Sequence, residues 1–171
     1  EEQVLSLTSP EKEKLYELLL INYEPQNRTY RYNFFYDNCS TRPRDKIEEC
    51  IAGKVIYTPY NKEKSYRDLI HEYTKGHPWA EFGIDLLIGA GADKPITQRQ
   101  MMFIPFYLRN FTEKAVIDSA GVKRPLVLKH NQLVISQSTQ TADHTLTPFQ
   151  CALLLFIIAV AVSIYGLKKK K

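Results

Sequence analysis

Residues 32–42 read YNFFYDNCSTR, an aromatic run that ends in Asp37-Asn38 and delivers Cys39 to the start of a helix. Extended one turn upstream, TYRYNFFY (29–36) holds five aromatic residues in eight positions. Aromatic side chains fit a pleated, half-buried surface, so this stretch reads as a strand or extended segment. Asp and Asn then punctuate the chain, because their short polar side chains capture nearby backbone N–H groups. The following helix starts at Cys39 or Ser40. Pro43 falls in its first turn, where a missing N–H removes no intrahelical bond, and Gly53 fits just past its end. A thiol at the junction of an extended segment and a helix therefore sets the expectation of an α+β fold.

Working outward, Thr8-Ser9-Pro10-Glu11 has the capping-box pattern, and Leu15, Leu18, Leu19 and Tyr23 follow at helical spacing, predicting a helix over 10–22. Ser65 with Asp68 opens another, carrying Tyr66, Leu69, Ile70 and Tyr73 and closed by Gly76. Pro78 starts a fourth helix, with a stripe of Trp79, Phe82 and Leu86, which Gly89-Ala90-Gly91 breaks. Thr97 and Gln100 cap a long helix through Met101, Ile104, Leu108, Phe111 and Ala115, expected to kink near Pro105. Leu126–Leu128 and Leu133–Ile135 read as a hairpin around His130-Asn131. Residues 1–135 suffice for one small core, and the expectation is a single domain, mostly helical.

The far end of the chain is of another kind. FQCALLLFIIAVAVSIYGL (149–167) has nineteen residues without a charge, and at about 1.5 Å per residue it spans roughly 28 Å, the thickness of a bilayer's hydrocarbon core. Lys168–Lys171 follow at once, whereas Thr139–Pro148 carries no Lys or Arg, so the lysine tail is expected in the cytoplasm and the N-terminal part outside. The polar stretch 136–148 reads as a linker to this span. Four of the 23 Lys and Arg close the chain, and without them the basic count equals the 19 Asp and Glu. The charge is thus a topology signal, and no basic field remains to attract nucleic acid. With no Met and no apolar export segment at its start, the chain reads as a fragment or processed form.

Three cysteines occur, at 39, 50 and 151. On one helix Cys39 and Cys50 would lie roughly 16 Å apart, beyond the limit of about 7 Å between Cα atoms for a disulfide. Cys151, at the head of the span, reads as a small apolar residue. Cys39 differs, because partial positive charge at a helix N-terminus lowers a thiol pKa, and Arg42 and Arg44 are close enough in sequence to add to it. The same backbone N–H groups are suited to an oxyanion formed when a thiolate attacks an acyl carbonyl. No histidine precedes Cys39; the four are His71, His77, His130 and His144. Asp85 and Asp93 flank a glycine-rich turn without the ligand set of a metal site, and Gly89-Ala90-Gly91 lacks the context of a phosphate loop, so no cofactor is expected.

YNFFYDNCSTR, GHPWAEFGIDLLIG (76–89) and GADKPITQRQMMFIPFYL (91–108) together closely resemble the Lnb-type lipoprotein N-acyltransferases of the Bacteroides group, across roughly residues 5–135. The resemblance implies the C-terminal part of a periplasmic thiol-acyltransferase domain tethered to the inner membrane. Its fold would be a circularly permuted papain-type domain similar to the lecithin:retinol acyltransferase group, with the histidine ahead of the cysteine in sequence. Cys39 carries the family's Asn-Cys signature, so the resemblance makes it the nucleophile, Asn38 its organiser and Arg42 its electrostatic support. His77, beside Pro78 and Trp79, is the local substitute for the upstream histidine. The implied partners are a membrane phospholipid as acyl donor and a lipoprotein as acceptor, joined through a Cys39 thioester. A thiol hydrolase of the same fold and a non-catalytic tethered module are the competing readings.

Overall fold

In chain order the elements are strand β1 (Glu2–Leu5), helices α1 (Ser9–Tyr23) and α2 (Thr41–Cys50), strand β2 (Lys54–Ile56), helices α3 (Tyr66–Thr74), α4 (Pro78–Ile88), α5 (Gln98–Met101) and α6 (Pro105–Glu113), strands β3 (Val116–Ser119), β4 (Val122–Pro125) and β5 (Val127–Asn131), and helix α7 (Pro148–Lys169). This computed structural model describes residues 1–135 and 146–169. The chain mixes helix and strand, as expected of an α+β fold. The chain divides into two compact units: Glu1–Glu63 with Pro95–Gln137, and Lys64–Lys94 with Ser138–Lys171.

The first unit holds the strands. β1 pairs antiparallel with β5, and β2, β3 and β4 form a second antiparallel sheet in that order. Backbone bonds from Ser6 to the Leu126 carbonyl (2.8 Å) and from Leu126 to the Ala115 carbonyl (2.9 Å) join the two sheets. Cys50, Ile51, Ala115, Ile117 and Leu126 form the buried core, with Leu15 and Leu18 of α1 and Ile47 of α2 packed on it. Gly53 turns the chain from α2 into β2 at φ +141°, where a Cβ would stand 2.3 Å from the Asp118 carbonyl oxygen, so only glycine fits.

Helix α1 begins with the expected box. Thr8 donates its N–H to Glu11 Oε2 at 2.8 Å and its hydroxyl to the same oxygen at 3.0 Å. Glu11, 2 % exposed, also accepts the Ala52 N–H (2.9 Å) and the Arg124 guanidinium (2.6 Å to each oxygen). Burial opposes its ionisation, but the Thr8 and Ala52 N–H groups and Arg124 outweigh it and hold the carboxyl down at about 2.

Three expectations are corrected. The long helix from Thr97 stops at Met101 and restarts at Pro105, with Ile104 extended (φ −90°, ψ 127°), because a residue before proline is pushed out of the helical region. Residues 29–36 form no strand. Asn33 and Asp37 exchange backbone bonds of 3.0 Å across a tight loop, and Asn33 Oδ1 accepts the N–H groups of Phe35 and Tyr36 (3.1 Å each) that a neighbouring strand would need. The hairpin lies at β3–β4, around Ala120 (φ +54°) and Gly121 (φ +88°), and His130 sits within β5. Leu133–Ile135 do not pair with residues 126–128, whose partner is β1.

In the second unit, α3 is capped by Ser65 and Asp68 as predicted (2.7 Å from the Ser65 N–H to Asp68 Oδ2). Arg67 reaches Asp85 and Asp93, both at 2.5 Å, and the Gly89 carbonyl at 2.8 Å. His71 Nε2 lies 3.0 Å from both Asp85 oxygens. The two carboxylates that flank the glycine-rich turn thus clasp α3 to α4 and to the turn that follows it. Helix α7, 22 residues, is long and apolar enough to cross a membrane and buries none of its apolar stretch. It extends the expected span 149–167 slightly at both ends. Most of the expected linker (136–145, with His144) and the last two residues of the lysine tail lie outside the described residues.

Candidate active site

The head of α2 is organised by Asn38, 3 % exposed. Its Oδ1 accepts the N–H groups of Ser40 (2.8 Å) and Thr41 (2.9 Å), while the Thr41 hydroxyl accepts the Asn38 N–H at 2.8 Å. This is a reciprocal capping box, Asn-x-x-Thr, one turn ahead of the first regular helical residue. The Arg42 N–H reaches the Asn38 carbonyl at 3.2 Å, the first intrahelical bond. Regular helix begins at Thr41, one or two residues later than the start read from the sequence, and Cys39 lies in the capped turn that leads into it.

Cys39 is exposed, while Asn38 before it and Ser40 and Thr41 after it are buried. The cap consumes the N–H groups of Ser40 and Thr41, and among the described residues only the Cys39 N–H at this helix head has no acceptor. The oxyanion donors anticipated there reduce to one backbone group, on the same residue as the thiol. That placement lets one residue supply both nucleophile and donor.

Asn38 also anchors the loop around the thiol. Its Nδ2 donates to the carbonyls of Phe34 and Phe103, both at 2.9 Å. The rings of Phe34, Phe35 and Phe103 meet edge to face, with centroids 5.2–5.7 Å apart. With both amide donors and the side-chain oxygen engaged, Asn38 has one orientation, and Cys39 is held by it.

Arg42 binds Asp37 through two bonds, Nε to Oδ1 at 2.6 Å and Nη2 to Oδ2 at 3.0 Å, and its guanidinium lies 3.3 Å from the centre of the Tyr30 ring. The Arg42 bond holds the Asp37 carboxyl below its usual range. Arg42's charge is therefore shared with a carboxylate. Arg44, buried, is turned to Asp45 (2.8 Å) and the Arg99 carbonyl (3.0 Å). Burial, then the charges of Cys39 and Tyr30, push the Tyr32 phenol up.

Cys50 is a different thiol. It is 1 % exposed, points at the Ile47 carbonyl (3.2 Å) and has its pKa raised by burial, so it is core. Neither it nor Cys39 or Cys151 is in a disulfide. His77 belongs to the second unit, where it precedes Pro78 at the head of α4 and its carbonyl accepts the Glu81 N–H at 3.0 Å. The structure thus assembles Asn38, Cys39 and Arg42 in one place and adds Thr41, Tyr32 and Phe103. Thr41 was legible as the fourth residue of an Asn-x-x-Thr box; Phe103, 65 positions away, carried no local signal. Among the described residues no cluster of three His, Cys, Asp or Glu side chains is placed to hold a metal.

No curated protein and no solved structure matches the chain. Residues 1–72 match the family model of the Lnb N-terminal periplasmic domain. The matched segment contains Asn38, Cys39 and Arg42 and ends before His77.

Proposed function

We propose that this chain contributes the nucleophile of a membrane-tethered thiol acyltransferase, which moves an acyl chain from a phospholipid through Cys39 to the N-terminal amine of a lipoprotein. The observation that carries the reading is an exposed thiol in the capped turn leading into α2, on a residue whose own N–H is the remaining donor. In the first step the Cys39 thiolate attacks the ester carbonyl, the Cys39 N–H receives the developing oxyanion, and the lysophospholipid leaves as an alcohol after taking a proton. In the second, the amine attacks the thioester, expels the thiolate and gives up a proton to a base. The thioester divides one difficult transfer into two easier ones.

A histidine is the base such proton transfers call for. The resemblance puts it ahead of the cysteine, and His77 is the substitute within these residues. Asn38 fixes the thiol's position, and Arg42, through its pair with Asp37, steadies the loop and lends residual positive charge. A thiol-headed helix packed on antiparallel strands is compatible with part of a circularly permuted papain-type domain. Helix α7 would hold the domain on the periplasmic face of the inner membrane, with Lys168 and Lys169 in the cytoplasm.

Incubating the full chain with vesicles of labelled phospholipid should leave on Cys39 an acyl group that hydroxylamine releases, and Cys39→Ser should abolish it. A wild-type protein that gains no adduct, together with unchanged lipoprotein N-acylation in a Cys39→Ala strain, overturns the proposal. Free fatty acid without acylated amine would point to a hydrolase.

A further inference from the structure

A trough of about 870 Å3 lies between α1 and α2, within the range of about 300–1,000 Å3 usual for ligand pockets. Its α2 wall is formed by Arg42, Pro43, Asp45, Lys46 and Ile47, and all of these but Asp45 follow Cys39 at i+3, i+4, i+7 and i+8. Residues so spaced share one helical face, and in helical register that face follows from the turn holding Cys39, which itself is not one of the lining residues. On α1 the facing stripe is Leu15, Leu18, Leu19 and Asn22. Glu11, near the start of α1, bonds to Ala52, just past the end of α2, so the two helices run antiparallel. Asn22 therefore lies toward the thiol end, beside Asp37 and Arg42, and Leu15 toward the apolar end, beside Ile47.

We infer that this trough receives the acyl chain carried by Cys39, an inference that rests on the acyltransferase reading. The polarity gradient fits that occupant. A thioester carbonyl would lie at the polar head, and its hydrocarbon tail would run along Pro43, Leu19 and Leu18 toward Leu5 and Ile47.

The test uses the full chain in vesicles holding equal amounts of phospholipids with saturated chains of different length, and reads the adducts on the Cys39 peptide by mass spectrometry. Leu19→Trp narrows the trough from α1, and Lys46→Trp from α2; both positions keep partial solvent exposure, so neither change alters the core. Each should shift the adduct distribution to shorter chains. A buried methylene is worth about fourfold in affinity, so losing room for two should change the long-to-short ratio by roughly tenfold or more. An adduct whose chain profile is indifferent to both substitutions overturns the trough and leaves the acyltransferase reading standing. No adduct on the wild-type protein overturns that reading, and the trough with it.

Discussion

The heads of α1 and α2 are built on the same reciprocal device and end in opposite states. At α1 the cap residue Thr8 is exposed and the partner Glu11 is buried, where Ala52 and Arg124 complete its shell. At α2 both box partners, Asn38 and Thr41, are buried, and the residue between the cap and the rest of the helix, Cys39, is left outside with its own N–H unspent. The first head closes a core. The second fixes a thiol in place while keeping it accessible. The capping box itself is therefore neutral with respect to function, and what separates the two is which member of the box the core takes in.

Glu11→Gln should have the largest effect on stability, about 3 kcal/mol in urea unfolding, since it leaves Arg124 facing a neutral partner inside the unit. If the contrast between the heads is sound, the acylation rate of Cys39 per folded molecule stays at the wild-type level. The same residue sets an acid limit. Its folded pKa, about 2, lies below the ordinary glutamate value, so the stabilisation is complete above roughly pH 4.5 and is lost as pH falls toward 2. Thermal melts of wild type and Glu11→Gln should converge across that window.

Asn38→Ala should cost about 2 kcal/mol, for a cap and two buried hydrogen bonds, and unlike Glu11→Gln it should also slow acylation of the folded fraction. Equal per-molecule rates in the two variants would erase the distinction between the heads. Thr41→Val, which keeps the shape and removes the hydroxyl bonded to the Asn38 N–H, should cost about 1 kcal/mol with a smaller loss of rate. Ala120→Asn lies at the β3–β4 turn, where the φ of +54° suits Asn better than Ala. It should raise stability by about 0.5 kcal/mol and leave the rate alone, separating stability from chemistry.

Much of this was legible locally. The boxes at Thr8–Glu11, Ser65–Asp68 and Thr97–Gln100 name their helix starts, and the nineteen uncharged residues of 149–167 name the span. Cys39 stood out because a thiol followed Asp-Asn at a helix start. Misreadings arose where two local rules competed. Aromatic content argued for a strand at 29–36, and the Asn33 side chain won by taking the N–H groups first. Apolar spacing ran through Pro105, and the backbone restriction on Ile104 broke it. Pairings between distant segments, such as β1 with β5 or Asn38 with Phe103, leave no trace in either segment's own pattern.

The bond from Asn38 to the Phe103 carbonyl spans 65 positions of sequence, which gives the thiol a place in time as well as in space. Contacts between distant segments carry the larger loop-closure cost and form late. A chain delivered N-terminus first thus presents Cys39 on an unanchored loop until residues beyond 103 have followed. The aromatic cluster and the fixed helix head arrive together with that later segment, so the Cys39 thiol is set in place near the end of folding, after most of the first unit has been delivered.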